Sequence, residues 1–221
     1  MKNKKAVKII KNVECVLWDW NGTLIDDIDV AVDVLSQTVR PISKVEITKN
    51  FYLENFKFPV IDFYKKLGVD VEKHWDYMKD SFLKNYMASI HRVRLFEDVP
   101  EVLDLFKELK ISMAVLSAMH EQTLLRHVEK EKISHFFSHI KGAEDVEAAG
   151  KVSYSRKLLK KMGAEPEKTV LVGDTLHDSD VAEKAGCRCV LISRGHNSKQ
   201  RLEKSGRIVL DSLSEFSESI T

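Results

Sequence analysis

The chain has 221 residues, 43% of them hydrophobic and 31% charged, with a formal net charge of +1. That composition suits one globular unit with a sizeable core, or a core carrying a smaller insertion. The balanced charge gives no electrostatic ground for nucleic-acid or membrane partners, and no run of about 18 apolar residues exists to span a bilayer.

The opening M-K-N-K-K-A-V-K-I-I-K is basic, and Lys8 and Lys11 break the apolar stretch a signal peptide needs; a solvated, frayed start is expected. Val13–Trp18 reads as a short buried strand. From about Asp27 to Arg94 apolar residues recur at threes and fours without strand alternation, which predicts a helical block whose Trp75, Tyr77 and Phe82 serve packing. Asp98 then caps a helix with Pro100 in its first turn. After it come a strand at Ile111–Leu116, a helix at Glu121–Lys130 and a short strand at Phe137–Ile140. Further on are a helix at Val152–Met162, a strand at Thr169–Val172, a helix at Ser179–Ala185, a strand at Cys189–Ile192, a helix at 199–204 and a last strand at Ile208–Leu210. Strands alternating with helices predict an α/β fold, a doubly wound parallel sheet, with residues 27–94 inserted into a core of 1–26 and 95–221. Cys15, Cys187 and Cys189 read as buried, reduced thiols of a cytoplasmic protein.

Ligands of open parallel sheets gather at the carboxyl ends of the strands. The first strand delivers Asp19, followed by Asn21, Gly22 and Thr23; the second delivers Ser117; T-V-L-V-G-D delivers Asp174, with Asp178 and Asp180 close behind. Lys151 falls in the first turn of a helix, where the dipole disfavours a cation, so an anion is expected beside it. Crowded carboxylates do not all ionise without positive charge. Lys151 supplies part of it and a hard ion such as Mg²⁺ would supply more. A phosphoryl group fits among metal, lysine, hydroxyl and N–H donors, and a carboxylate could attack its phosphorus.

D-W-N-G-T-L at 19–24 resembles the first motif of haloacid dehalogenase-like hydrolases, V-L-S-A at 115–118 the second, Lys151 the third, and G-D-T-L-H-D at 173–178 the acidic fourth. L-F-E-D-V-P-E-V-L-D-L-F and H-D-S-D-V-A-E-K-A-G are similar to the phosphoglycolate-phosphatase-like branch, which inserts a helical cap where residues 27–94 lie. The resemblance implies Mg²⁺-dependent hydrolysis of a small phosphorylated metabolite through an aspartyl phosphate. In it Asp19 is nucleophile and metal ligand, and Asn21 offers its main-chain carbonyl to the metal. Ser117 and Lys151 bind the phosphoryl oxygens, Gly22 and Thr23 shape the loop and its N–H donors, Asp174 ligates the metal, and Asp178 supports the metal or its waters.

Position 21 departs from the family pattern, which carries a second aspartate there as general acid and base. An amide cannot exchange a proton at neutral pH, and such help is typically worth about 10²–10⁴-fold. Three outcomes follow: a phosphatase with a substitute acid such as His177 or water, a preference for good leaving groups, or a phospho-ligand binder that turns over poorly. A phosphotransferase is a further rival. The R-G-H at 194–196 is either a loop approaching the site or a simple turn.

Overall fold

The structure, a computed structural model, describes residues 10–144 and 151–220. The frayed start expected at the N-terminus falls on residues 1–9, outside the described residues.

Strand β1 (Cys15–Trp18) is buried along its whole length, as a central parallel strand must be when helices cover both faces. A two-residue strand, β2 (Ile25–Asp26), follows, then α1 (Ile28–Val39), α2 (Lys49–Asn55), α3 (Val60–Lys66) and α4 (Val71–Ser89). Strand β3 (Arg94–Leu95) returns antiparallel to β2, pairing Ile25 with Leu95 and Asp26 with Arg94. The four helices thus leave and re-enter the rest of the chain through a two-stranded ribbon. Strands that short carry no readable period, so the sequence pattern passes over them.

The remaining chain alternates α5 (Val99–Glu108), β4 (Ser112–His120), α6 (Glu121–Lys130), β5 (His139–Ala143), α7 (Lys151–Met162), β6 (Thr169–Gly173), α8 (Leu176–Ala185), β7 (Arg188–Ile192), α9 (Lys199–Glu203), β8 (Ile208–Leu210) and α10 (Leu213–Glu218). Six strands form one parallel sheet in the order β5-β4-β1-β6-β7-β8. Chain direction across the sheet reverses at β1, so the crevice between β1 and β6 is the topological switch point where such sheets bind ligands. Val16, Trp18 and Val172 pack on one face with Phe106 and Phe216; Leu17, Leu171, Cys15, Cys187 and Cys189 pack on the other. All three cysteines are free and buried.

Several expectations shift. The fifth strand runs over 139–143 instead of 137–140, and β4 continues past Leu116 to His120 with a register irregularity against β5 between those two residues. The Asp98 side chain makes no bond to the start of α5. It accepts instead from the N–H groups of Leu213 (2.9 Å) and Ser214 (3.2 Å) at the start of α10, and it pairs with Arg194. An aspartate two residues before a proline reads locally as a cap, but tertiary partners on α10 and Arg194 claim it. Tyr77 is 43% exposed, whereas Trp75 and Phe82 pack as expected against the core of the helical segment and also line a cavity. No helix among the described residues is long and apolar enough to cross a membrane.

Candidate active site

Asp19 leaves the carboxyl end of β1 and Asp174 that of the neighbouring β6, and the Asp19 N–H donates to the Val172 carbonyl at 2.8 Å. The two carboxylates are therefore brought together by sheet register, 155 positions apart in sequence. Asp178 joins them from the first turn of α8, and the three offer ligand atoms within 4.8 Å of one another. All three are buried.

Lys151, 3% exposed at the start of α7, donates to Asp19 Oδ1 at 2.5 Å and to Asp178 Oδ1 at 2.6 Å. Burial disfavours its ammonium, and the fields of Asp178 and Asp19 outweigh that, holding its pKa above the ordinary lysine range. Asp178 is fully engaged. Its second oxygen accepts from the Thr175 N–H and hydroxyl (3.0 and 2.7 Å) and from the Asp174 N–H (3.2 Å), which closes a capping box at the head of α8. Lys151 is thereby aimed at Asp19 by an anchor that is itself anchored.

Asp174 accepts from the Thr23 hydroxyl at 3.0 Å and from the His196 N–H at 2.5 Å. Burial, with Asp19 and Asp178 adding to it, still lifts its pKa well above the carboxylate range. Burial likewise raises Asp19 to about 6, although Lys151 opposes it. One lysine does not balance three buried acids. Every ligand atom of the cluster is a carboxylate oxygen, and Asp19 Oδ2 has no hydrogen bond among the described residues. This donor set fits a hard divalent cation better than a soft one.

Ser117 lies in β4 at the register irregularity, 2% exposed, and its oxygen accepts from the Met119 N–H at 3.0 Å. Its hydroxyl proton is left to donate into the cavity that it lines with Asp19, Lys151 and Asp174. Thr23 and Gly22 stand behind the carboxylates: the Thr23 hydroxyl is on Asp174 and the Gly22 N–H donates to Asp27 Oδ1 at 3.0 Å. Gly22 has φ +72°, and an added Cβ would sit 2.4 Å from Asp174 Oδ2, so this turn needs glycine on both counts.

Asn21 donates its amide to Asp27 Oδ2 (2.7 Å) and to the Tyr86 hydroxyl (3.0 Å), and Tyr86 donates to the same Asp27 oxygen at 2.8 Å. The side chain at position 21 is thus a tie between the β1 turn, the start of α1 and α4. Asp27 also meets His196 Nε2 at 3.2 Å, and the other ring nitrogen of His196 lies 2.8 Å from the Tyr52 hydroxyl on α2. Burial works against the His196 imidazolium, but Asp27, its hydrogen bond, Asp174 and Asp19 prevail and raise it to about 9. Burial works against the Asp27 carboxylate too, and His196 with the Asn21 and Tyr86 donors holds it below the usual range.

Sequence reasoning passed over Asp27 and left His196 undecided. Asp27 stands in D-D-I-D at a helix start, where one acid among several looks like a cap, and the site role of R-G-H depends on which loop it reaches. Gly195 was equally unreadable: a Cβ there would lie 2.0 Å from Asp174 Oδ2. His177 is half-buried against the Phe58 ring (centroids 4.9 Å apart), its Nε2 has no hydrogen-bond partner among the described residues, and burial lowers its pKa. Asp180 is exposed and outside the cluster.

A parallel α/β sheet that gathers three acids and a lysine at its switch point defines a class of enzymes that handle anionic, oxygen-rich groups. The chain belongs to the haloacid dehalogenase-like hydrolases, whose family match spans residues 16–192. It is similar to phosphoglycolate phosphatase 1 of Pseudomonas aeruginosa, 24% identical over 90% of this chain and 76% of that protein. It is also similar to the pyrophosphatase PpaX of Oceanobacillus iheyensis, 28% identical over 82% of this chain and 84% of that one. Among solved structures, a haloacid dehalogenase-like family hydrolase from Streptococcus pneumoniae superposes with a TM-score of 0.68 at 18% identity, covering 94% of this chain and 98% of that one. Protein tyrosine kinase A of Mycobacterium tuberculosis superposes with 0.79 at 21% identity, over 94% and 98%.

Proposed function

We propose that the protein hydrolyses a small phosphate monoester, using Mg²⁺ and an aspartyl phosphate on Asp19, with the helices of residues 27–94 acting as a cap over the core. The observation that carries this reading is the Lys151 ammonium held 2.5 Å from Asp19 inside a cluster of three buried carboxylates. Asp19 and Asp174, with the Asn21 main-chain carbonyl, would hold the cation, and Asp178 would support it through the groups it orients. The cation would neutralise charge on the phosphoryl oxygens and draw them against the nucleophile.

Ser117 and Lys151 grip the phosphoryl group by donating to its oxygens. The carboxylate of Asp19 attacks phosphorus as the ester P–O bond breaks, and the leaving oxygen departs with that electron pair. Water then attacks the aspartyl phosphate, freeing phosphate and regenerating the carboxylate. Asn21 cannot supply the proton in the first half or remove one in the second, and its amide is already committed to Asp27 and Tyr86. That commitment favours a second reading, a binder of phosphorylated ligands with slow turnover. The three buried thiols suit a reducing cytoplasm.

The test is steady-state hydrolysis of phenyl and ethyl phosphate by the wild type and by Asn21→Asp, with Mg²⁺ and with chelator. Chelator-sensitive turnover by the wild type is expected, with Asn21→Asp raising the ethyl phosphate rate about tenfold or more as an acid is restored. A silent wild type beside an active Asn21→Asp variant would move the binding reading ahead.

A further inference from the structure

The cavity beside Asp19 is about 280 Å³ and extends from Ser117, Lys151 and the acids into the helical segment. Its lining is rich in aromatic rings, Phe56, Phe58, Trp75 and Phe82 among them. Phe56 stacks on Tyr52 with centroids 4.8 Å apart and meets Phe58 edge-on at 5.3 Å. The hydroxyls of two tyrosines that line the cavity are already engaged, Tyr52 with His196 and Tyr86 with Asp27, which leaves their rings as the uncommitted part.

Positive charge is scarce along that lining. Among the described lining residues, Lys151 is held between Asp19 and Asp178, His196 is on Asp27, Lys79 is paired with Asp76 at 3.2 Å, and His120 is solvent-exposed. A carboxylate or second phosphate on the leaving group would lose its hydration there and gain at most the partly exposed Lys79, already shared with Asp76, as a counter-charge. An apolar ring would lose nothing, and a dry cavity of roughly 150 Å³ already suffices for benzene.

We propose that the substrate is an aryl phosphate, its ring seated among Phe56, Phe58, Trp75 and Phe82 and its phosphoryl group on Asp19. This rests on the hydrolytic reading above and names the substrate class for that same site. A second feature agrees with it independently. A phenol, with a pKa near 10 as in tyrosine, leaves as an anion far more readily than an alkoxide, so an aryl ester tolerates an amide at position 21.

Two readouts test it on the full-length protein with Mg²⁺. The first is binding of non-hydrolysable probes by calorimetry: phenylphosphonate, phosphonoacetate and imidodiphosphate. The second is kcat/KM on phenyl phosphate, phosphoglycolate and pyrophosphate, with Asp19→Asn as control. Phenylphosphonate and phenyl phosphate should lead by about tenfold to a hundredfold, the size that burying one ring delivers. Leu83→Arg, at a lining position 46% exposed and so safe for folding, should shrink that lead several-fold by giving carboxylates a partner. Asp19-dependent turnover in which phosphoglycolate or pyrophosphate equals or beats phenyl phosphate would overturn the aryl assignment and leave hydrolysis standing. Absence of turnover on every ester, with phenylphosphonate still bound at least tenfold tighter, would sink hydrolysis and keep the aromatic specificity. Equal binding of the three probes would also overturn it.

Discussion

Two of the loops that build this site differ in kind. The turn after β1, residues 19–27, carries its chemistry in its own sequence: an acid at the end of a buried strand, then Asn-Gly-Thr. The loop after β7, residues 194–198, carries an Arg-Gly-His that no local pattern assigns to the site, yet it holds the first turn in place. Arg194 meets both oxygens of Asp98 at 2.8 and 2.9 Å and lies 3.8 Å from the Phe96 ring centroid; Gly195 admits Asp174; His196 binds Asp174, Asp27 and Tyr52. Asn197 caps Leu176 at the head of α8 at 3.0 Å and donates to the Phe56 carbonyl at 3.1 Å. Reactive groups are thus readable locally, and the groups that aim them are not.

The contrast can be broken by substitution. In the first loop, Asp19→Asn should cost at least about 10³-fold in kcat, with phenylphosphonate still bound, because it removes the attacking group and leaves the cavity. Retention of more than a tenth of the rate would end the nucleophile assignment. In the second loop, His196→Ala strips Asp27 of its charged partner in a site only 1% exposed. Breaking such a buried pair costs roughly 3–5 kcal/mol, readable as a shift in the urea midpoint; a loss under about 1 kcal/mol would show that Asp27 is satisfied by Asn21, Gly22 and Tyr86 alone.

Gly195→Ala separates aiming from folding. The new methyl displaces the Asp174 carboxylate, and misplacement by about 1 Å is worth roughly 10²-fold in rate. Hydrolysis should fall by that factor and the apparent Mg²⁺ requirement should rise. Unchanged kinetics would mean that Asp174 has room to move without consequence.

The smallest effect tests the outer tie. Asp98 is held below its ordinary pKa: burial pushes it up, and Arg194 with the Ser214 and Leu213 N–H groups pulls it down further. A depressed acid contributes stability above its unfolded pKa and loses it on acidification, so the contribution should be complete above about pH 5 and fade as pH falls below about 4. Asp98→Asn should cost about 2 kcal/mol at pH 7 and flatten the acid limb of the stability profile. An unaltered acid limb would show that Arg194 finds another partner.

The sequence by itself determined the alternation of strand and helix, the helical run between the first strand and the rest, and the candidate set Asp19, Ser117, Lys151, Asp174 and Asp178. Asp19 and Asp174 follow from buried strands ending in an acid and Lys151 from a cation where a helix dipole opposes it, while Ser117 and Asp178 take their place from the order of motifs that resemble the family. Only the tertiary structure decided how those groups are used. It turned Thr23 toward Asp174, tied Asn21 to Asp27 and Tyr86, gave Asp98 to α10 and Arg194, and brought His196 from the loop after β7 into contact with the turn after β1. The physical reason is that a buried polar group must find partners wherever the packed chain provides them. Those partners lie up to 169 positions away, beyond the reach of any local pattern.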